Sequence, residues 1–381
     1  MGLLLCAIGC LQCSKEGKDN LAGKDVPSQM QTFVYADSFS LRVYCKDLYE
    51  HADMKHAFVG KTQADFEEWQ EEFRDALKDR LGISRLENRL DSYRVKAERV
   101  DSEDVGYAVR ERWRVWTEPG VPLPVVLLLP KDRDGELPLM ITPHGHDRHP
   151  GLYAGIYWSE KERMETEQNE KDVAVQAVKN GFIAIAPTAR GFGDTRTPED
   201  KEKGLPYSCR TLAVQGLLAG RTLIGDRVWD ISKLIDWALE TLPVDASRIV
   251  VSGNSGGGTA TLFAGACDTR IAISVPSSYF CTFAGSIGAM YHCECNYVPG
   301  ILDDGEMADV AGLTAPRFFC ALNGRYDPMF PFAEAQKAFG HLKEIYEAAG
   351  VPGHCELYVG EGGHRYYKEG AWRFIHAHLA D

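Results

Sequence analysis

The residues best placed to do chemistry lie in Arg248-Ile-Val-Val-Ser-Gly-Asn-Ser-Gly-Gly-Gly-Thr259. A β-branched run, Ile249 to Val251, passes straight into Gly253-Asn254-Ser255-Gly256-Gly257, and a small-residue helix start follows at Gly258. This is Gly-x-Ser-x-Gly in the order strand, sharp turn, helix, the setting that lifts a serine hydroxyl clear of the chain. The demand is steric. A serine at the tip of such a turn takes a strained backbone conformation, so the residues two before and two after it must be small enough to let strand and helix pass closely. The amide of Gly256 is then left to bind an oxyanion. The plainer reading is a glycine-rich strand-to-helix loop with an incidental serine, and the presence of partners decides between the two.

A serine hydroxyl is a poor nucleophile until a base takes its proton, and the base needs a carboxylate to fix its tautomer. With such a turn the chain order is serine, acid, histidine, each partner in a loop after a later strand. Between Ser255 and the last helix stand His292, His341, His354 and His364. His341 falls within an expected helix and His354 precedes a strand. His364 follows the strand Cys355–Val359 in the glycine-hinged loop Glu361-Gly-Gly-His364, and is assigned as the base. Asp327, in Asn323-Gly-Arg-Tyr-Asp-Pro328, follows the strand Arg317–Leu322 and is assigned as the acid, whereas no strand closely precedes Asp303, Asp304 or Asp309. A second oxyanion donor belongs in the loop after an early central strand. Pro143-His144-Gly145-His146-Asp147 occupies that place, and the amide of His146 is paired with that of Gly256.

Two clusters invite a metal reading. His144, His146 and His149 with Asp147 have a usable spacing, but zinc ligands bring further ligands and a fixed second shell, and the oxyanion loop already explains the His-Gly position. Cys293-x-Cys295 beside His292 is too tight for a zinc knuckle and reads as thiols flanking a pocket. The expected site holds no metal.

The elements that must position these residues alternate. Ser38 to Leu81 reads as helical, with Phe66, Trp69, Phe73, Ala76 and Leu77 recurring at three- and four-residue spacing. Residues 90–130 read as antiparallel edge strands, carried by Tyr107–Thr117 and Val121–Pro130. Strands are then expected at Leu137–Thr142, Phe182–Pro187, the elbow strand, Ile271–Val275, Arg317–Leu322 and Cys355–Val359. Helices are expected at Asp172–Asn180, Val228–Leu242, Ala333–Ala349 and Ala371–Leu379. Continuous apolar strands between helices mean a mostly parallel central sheet covered by helices on both faces.

With 381 residues, the chain has room for one large α/β domain and an extension. A net charge of −13 argues against nucleic acid as a partner. No apolar run reaches the ~18 residues of a membrane span. Eleven cysteines, scattered and odd in number, form no disulfide framework, and Cys267, Cys281 and Cys320 sit beside apolar or small residues as buried thiols. Residues 1–29 divide into a short apolar run ending at Cys10 and Cys13 and a polar linker. This is either a lipoprotein-like signal, which would export and anchor the protein, or an upstream extension of a cytoplasmic one with Met30 as a sensible start. Residues 30–100 are expected as a helical extension packed on a catalytic domain at 101–381.

Pro-His-Gly-His at 143–146, Arg-Gly-Phe-Gly-Asp at 190–194, Gly-Asn-Ser-Gly-Gly-Gly at 253–258, Asp327 and Gly-Gly-His at 362–364 together resemble the α/β-hydrolase superfamily. More closely, the chain is similar to bacterial proteins of the acetyl xylan esterase and dienelactone hydrolase type. The likeness covers roughly residues 100–381, and the Trp-rich helical segment before it resembles that group's N-terminal extension. Two positions depart from relatives: Ser255 stands where a dienelactone hydrolase proper carries cysteine, and Gly256 stands where one deacetylase group has glutamine. The resemblance implies acyl transfer through an acyl-enzyme on Ser255, with no cofactor and with small-molecule or oligosaccharide esters as substrates. It also implies a cap-like insertion near 276–312, whose Tyr279, Phe280 and Tyr297 would contact substrate. The rivals are a serine peptidase of the prolyl-oligopeptidase type, a hydrolase of other small esters or lactones, and a non-catalytic binding module on the same fold.

Overall fold

The computed structural model describes residues 40–131, 134–147 and 149–379, so the leader-like segment 1–29 lies outside the described residues. Nine strands form one sheet: β1 (Lys96–Asp104), β2 (Val109–Glu118), β3 (Val121–Leu129), β4 (Leu137–Ile141), β5 (Ile183–Pro187), β6 (Val244–Asn254), β7 (Ile273–Ser277), β8 (Phe318–Gly324) and β9 (Cys355–Gly360). Their order is β1-β2-β3-β5-β4-β6-β7-β8-β9. The first three strands pair antiparallel and join the sheet through β3 against β5. From β5 onward every neighbouring pair is parallel.

The parallel half is buried on both faces, which is why β4, β5, β7 and the apolar part of β6 read as continuous hydrophobic runs. On one face, the helices Leu223–Thr241, Gly256–Cys267 and Phe332–Ala348 build a core with Ile141, Ile185, Ile249 and Val251. On the other, Val173–Lys179 and Lys368–His378 cover Met140, Ala184, Val250 and Ile273. The sheet covered by helices on both faces is therefore present.

The expected helix over Ser38–Leu81 is two helices, Leu41–Glu50 and Gln63–Leu81. The second begins at a reciprocal cap: Thr62 Oγ1 accepts from the Asp65 amide, and the Asp65 carboxylate accepts from the Thr62 amide at 2.9 Å. It ends at Gly82, whose φ of +82° suits the left-handed cap that glycine takes without strain. Phe66, Phe73 and Leu77 are buried in the first of the two cores, and Trp69 donates to the His56 carbonyl at 2.6 Å. Cys45 to the C-terminus forms one compact unit. Among the described residues, no helix is long and apolar enough to cross a membrane.

Candidate active site

β6 delivers Ser255 at its carboxyl end, immediately before the helix Gly256–Cys267. Ser255 adopts φ +58° and ψ −120°, a strained conformation for a residue with a side chain, held by its amide donating to the Ser277 carbonyl at 2.9 Å. The surrounding glycines are there because other backbone occupies their Cβ space. A Cβ on Gly253 would lie 2.2 Å from the Pro143 carbonyl oxygen, and one on Gly257 would lie 2.0 Å from the same atom. The loop after β4 is thus packed directly against the elbow.

β8 and β9 lie side by side, so the loops at their carboxyl ends meet. His364 Nδ1 lies 2.8 Å from Asp327 Oδ2. The other carboxylate oxygen of Asp327 accepts from the amides of Met329 at 2.9 Å and Phe330 at 3.3 Å. Asp327 is buried, and the ring of Phe330 stacks on His364 with centroids 5.8 Å apart. Ser255 and His364 line one cavity of about 330 Å³, with His146, Asn254, Gly256 and Phe330 in its walls. His341 is occupied elsewhere, with Nε2 2.7 Å from Asp309 Oδ1.

His144 fixes the opposite wall. It is buried, its Nδ1 lies 2.7 Å from the Gly145 carbonyl, and its Nε2 accepts from the Ala189 amide at 3.0 Å. The ring thereby ties the loop after β4 to the loop after β5 and sets the path of Gly145 and His146. Burial pushes its pKa down to about 4. The unfolded chain, with an ordinary histidine near ~6.5, takes up the proton first as pH falls. The stability contributed by this ring is therefore complete above about pH 6.5 and falls by roughly 3 kcal/mol toward pH 4. His144→Gln is expected to flatten the acid limb of the urea-unfolding stability between pH 7 and 4. Superimposable acid limbs for the two proteins would contradict this account.

The three histidines read as a possible metal cluster do not converge. His144 is engaged as described, and His149 pairs with Glu162 at 3.0 Å and stacks on Trp158. Asp147 pairs with Lys171 at 2.6 Å on the cavity wall. The ring of His146 lies over Gly256, where a Cβ would come within 2.9 Å of its Cε1 and Nδ1. A glutamine after Ser255 would collide with that ring, which explains glycine here.

The substrate-contact expectation needs correction for two aromatics. Tyr279 and Phe280 are fully buried in the core rather than facing the cavity. Tyr279 packs on Phe330 and Phe280 on Phe319, because the segment leaving β7 turns down against the sheet before it reaches the surface. Tyr297 lies in a neighbouring groove, not in the cavity, and its hydroxyl accepts from the His292 amide at 3.2 Å. The cavity wall instead includes Tyr207, Tyr291, His292 and Met329. Sequence reasoning also passed over Asn254. It is buried on the cavity wall, and neither side-chain polar atom has a partner among the described residues. Its place as the variable residue of Gly-x-Ser-x-Gly was the one signal available.

A parallel sheet with a strained serine elbow at a central strand and paired acid and histidine loops on later strands defines an α/β-hydrolase architecture. The chain belongs to the Abhydrolase family, whose sequence model matches residues 31–296. It is 23% identical over 246 residues to the Bacillus subtilis (strain 168) protein named "Putative hydrolase YtaP", a span covering 63% of this chain and 77% of that one. Among solved structures it is similar to a putative acetyl xylan esterase from Bacteroides fragilis NCTC 9343, with a TM-score of 0.69, 18% identity, and coverage of 87% of this chain and 83% of the other. It is also similar to an acetyl xylan esterase from Paenibacillus sp. R4, with a TM-score of 0.55, 19% identity, and coverage of 87% and 98%. At these identities the structural likeness establishes the fold.

Proposed function

We propose that this protein is a serine carboxylic-ester hydrolase that removes acetyl or other short acyl groups from carbohydrate esters. The observation that carries the reading is the His364–Asp327 hydrogen bond of 2.8 Å on a cavity shared with a serine at φ +58°. In the proposed mechanism Ser255 Oγ attacks the ester carbonyl while His364 Nε2 takes its proton, and Asp327 steadies the imidazolium. The amides of Gly256 and His146 hold the developing oxyanion, each donor being worth ~10²–10³ in turnover. The alcohol leaves with the proton from His364. Water, activated by the same ring, then attacks the acyl-enzyme and releases the acid.

The carbohydrate half of the reading is supported by the acetyl xylan esterases that share the fold and by a cavity large enough for a short acyl group with part of a sugar. Acetate release from an acetylated xylo-oligosaccharide should be followed beside p-nitrophenyl acetate and an aminoacyl-anilide, with Ser255→Ala as control. Both esters are expected to be cut by the wild type alone. Cleavage of the aryl ester only would remove the sugar assignment, and cleavage of the anilide in preference to both esters would favour a peptidase. Equal ester turnover by Ser255→Ala would overturn the nucleophile itself.

A further inference from the structure

Beside the proposed oxyanion loop, three cysteines from two distant segments meet one histidine. Cys209 opens the helix Cys209–Leu218, Cys293 and Cys295 sit around the short 3₁₀ turn Glu294–Asn296, and His146 reaches in from the loop after β4. One ring nitrogen of His146 and the three Sγ atoms all lie within 4.8 Å of one another. Cys295 Sγ is 3.4 Å from both His146 Nε2 and Cys293 Sγ. A tetrahedral zinc with bonds of about 2.0 Å to nitrogen and 2.3 Å to sulfur sets its ligands roughly 3.5–3.8 Å apart. The constellation is thus already near that size without an ion.

A second observation points the same way. Arg227 is buried beside this cluster, and its guanidinium donates to Cys209 Sγ at 3.2 Å and to the Arg190 carbonyl at 2.8 Å. Its Nε has no partner, and no carboxylate pairs with it among the described residues. A buried cation is costly unless an anion accompanies it. Three thiolates around a divalent ion carry one net negative charge, which the single guanidinium balances. Metal binding to thiols releases their protons and leaves thiolates, the anions that a buried guanidinium would accompany.

We propose that His146, Cys209, Cys293 and Cys295 bind one Zn²⁺ ion as a closed structural site. Three thiolates and an imidazole are a borderline-soft set suited to zinc, and four protein ligands leave no position for substrate. The separate readings of the histidine run and of Cys293-x-Cys295 missed the site because it draws one ligand from the first, two from the second and one from a helix that starts 63 residues after His146 and 84 before Cys293. Cys293 also lines the cavity, which gives the ion an entry path. Bound through Nε2, His146 would hold its proton on Nδ1, on the side facing Gly256, and the metal would clasp the oxyanion loop to the two cysteine segments.

The test reads metal, not turnover, so it succeeds or fails independently of the esterase reading. The full chain, purified without a metal-affinity step and dialysed, is expected to hold about one zinc per chain by elemental mass spectrometry. Cobalt exchanged into the wild type should give the thiolate charge-transfer and strong ligand-field bands of a tetrahedral site. Cys293→Ser/Cys295→Ser should hold at most about a tenth of that zinc. The proposal is overturned if the reduced wild type takes up neither zinc nor cobalt, if the double variant keeps its zinc, or if the cobalt spectrum lacks thiolate bands. It is equally overturned if the freshly purified chain carries a Cys293–Cys295 disulfide, seen as a loss of two hydrogens.

Discussion

Asp327→Asn is expected to lower kcat on p-nitrophenyl acetate about 10⁴-fold at pH 7 with little change in KM. The reason lies in how the carboxylate is held. One of its oxygens already accepts two backbone amides, from Met329 and Phe330. In asparagine that position must remain the carbonyl oxygen, since an NH₂ there would face two N–H donors. The NH₂ is therefore turned toward His364 Nδ1, 2.8 Å away in the wild type. Nδ1 then has to accept, the ring proton moves to Nε2, and the nitrogen facing the cavity cannot take a proton from serine. The substitution changes neither volume nor the backbone contacts, so the thermal unfolding midpoint should stay within a few degrees. A kcat within tenfold of wild type would show that Asp327 does not set the tautomer. A large fall in midpoint would show that the loss came from folding.

Two of the strands before the expected functional loops were legible because parallel strands buried on both faces must be apolar throughout: Ile249–Val251 before Ser255 and Phe319–Leu322 before Asp327. β9, before His364, is a half-buried edge strand, legible from its β-forming residues and the glycines that follow it. Elbow glycines were legible for a different reason, since a Cβ at Gly253 or Gly257 would meet the Pro143 carbonyl. β1 was not. Its sequence, Lys-Ala-Glu-Arg-Val-Asp-Ser-Glu-Asp, is an exposed edge strand with no buried face to impose alternation, and cross-strand ion pairs such as Arg110–Glu103 and Arg112–Asp101 take the place of packing. Helix Glu160–Gln168 escaped for the same reason, its surface being almost wholly polar. The aromatics at 279 and 280 misled because an aromatic after a strand serves a core as readily as a ligand. Only the direction in which the chain leaves β7 separates the two. His144 was invisible as a positioning group, since its role depends on a partner 45 residues away.

The largest effect on folding is expected at Arg190, the first residue of the Arg-Gly-Phe-Gly-Asp loop after β5. Its buried guanidinium holds Asp230 through two bonds, of 2.8 and 2.6 Å, and Glu118 at 2.7 Å. Arg221 pairs with Glu118 and Asp226, each at 2.6 Å, and the more exposed Arg89 reaches Glu118 at 2.7 Å, so three cations serve three buried or nearly buried carboxylates. Burial pushes Glu118 upward, but the Arg221 and Arg190 guanidinium groups outweigh it and keep its carboxyl below the usual range. Arg190→Met takes away the cation that holds Asp230 and should cost about 3–5 kcal/mol in urea unfolding at pH 7. Because the folded-state pKa of Glu118 is lowered, the stability it contributes is present above the unfolded carboxylate value and lost as pH falls through the folded one. The gap between wild type and variant should therefore stay constant from pH 7 down to about pH 5 and narrow only below the unfolded carboxylate value of ~4.3. Replacing both partners, Arg190→Met with Asp230→Leu, should recover part of the loss, since an apolar pair of similar volume leaves fewer stranded charges. A cost below about 1 kcal/mol for Arg190→Met alone would mean that water reaches the cluster and screens it. The same loop carries the Ala189 amide that holds His144, so the variant is also expected to lose turnover through the oxyanion wall.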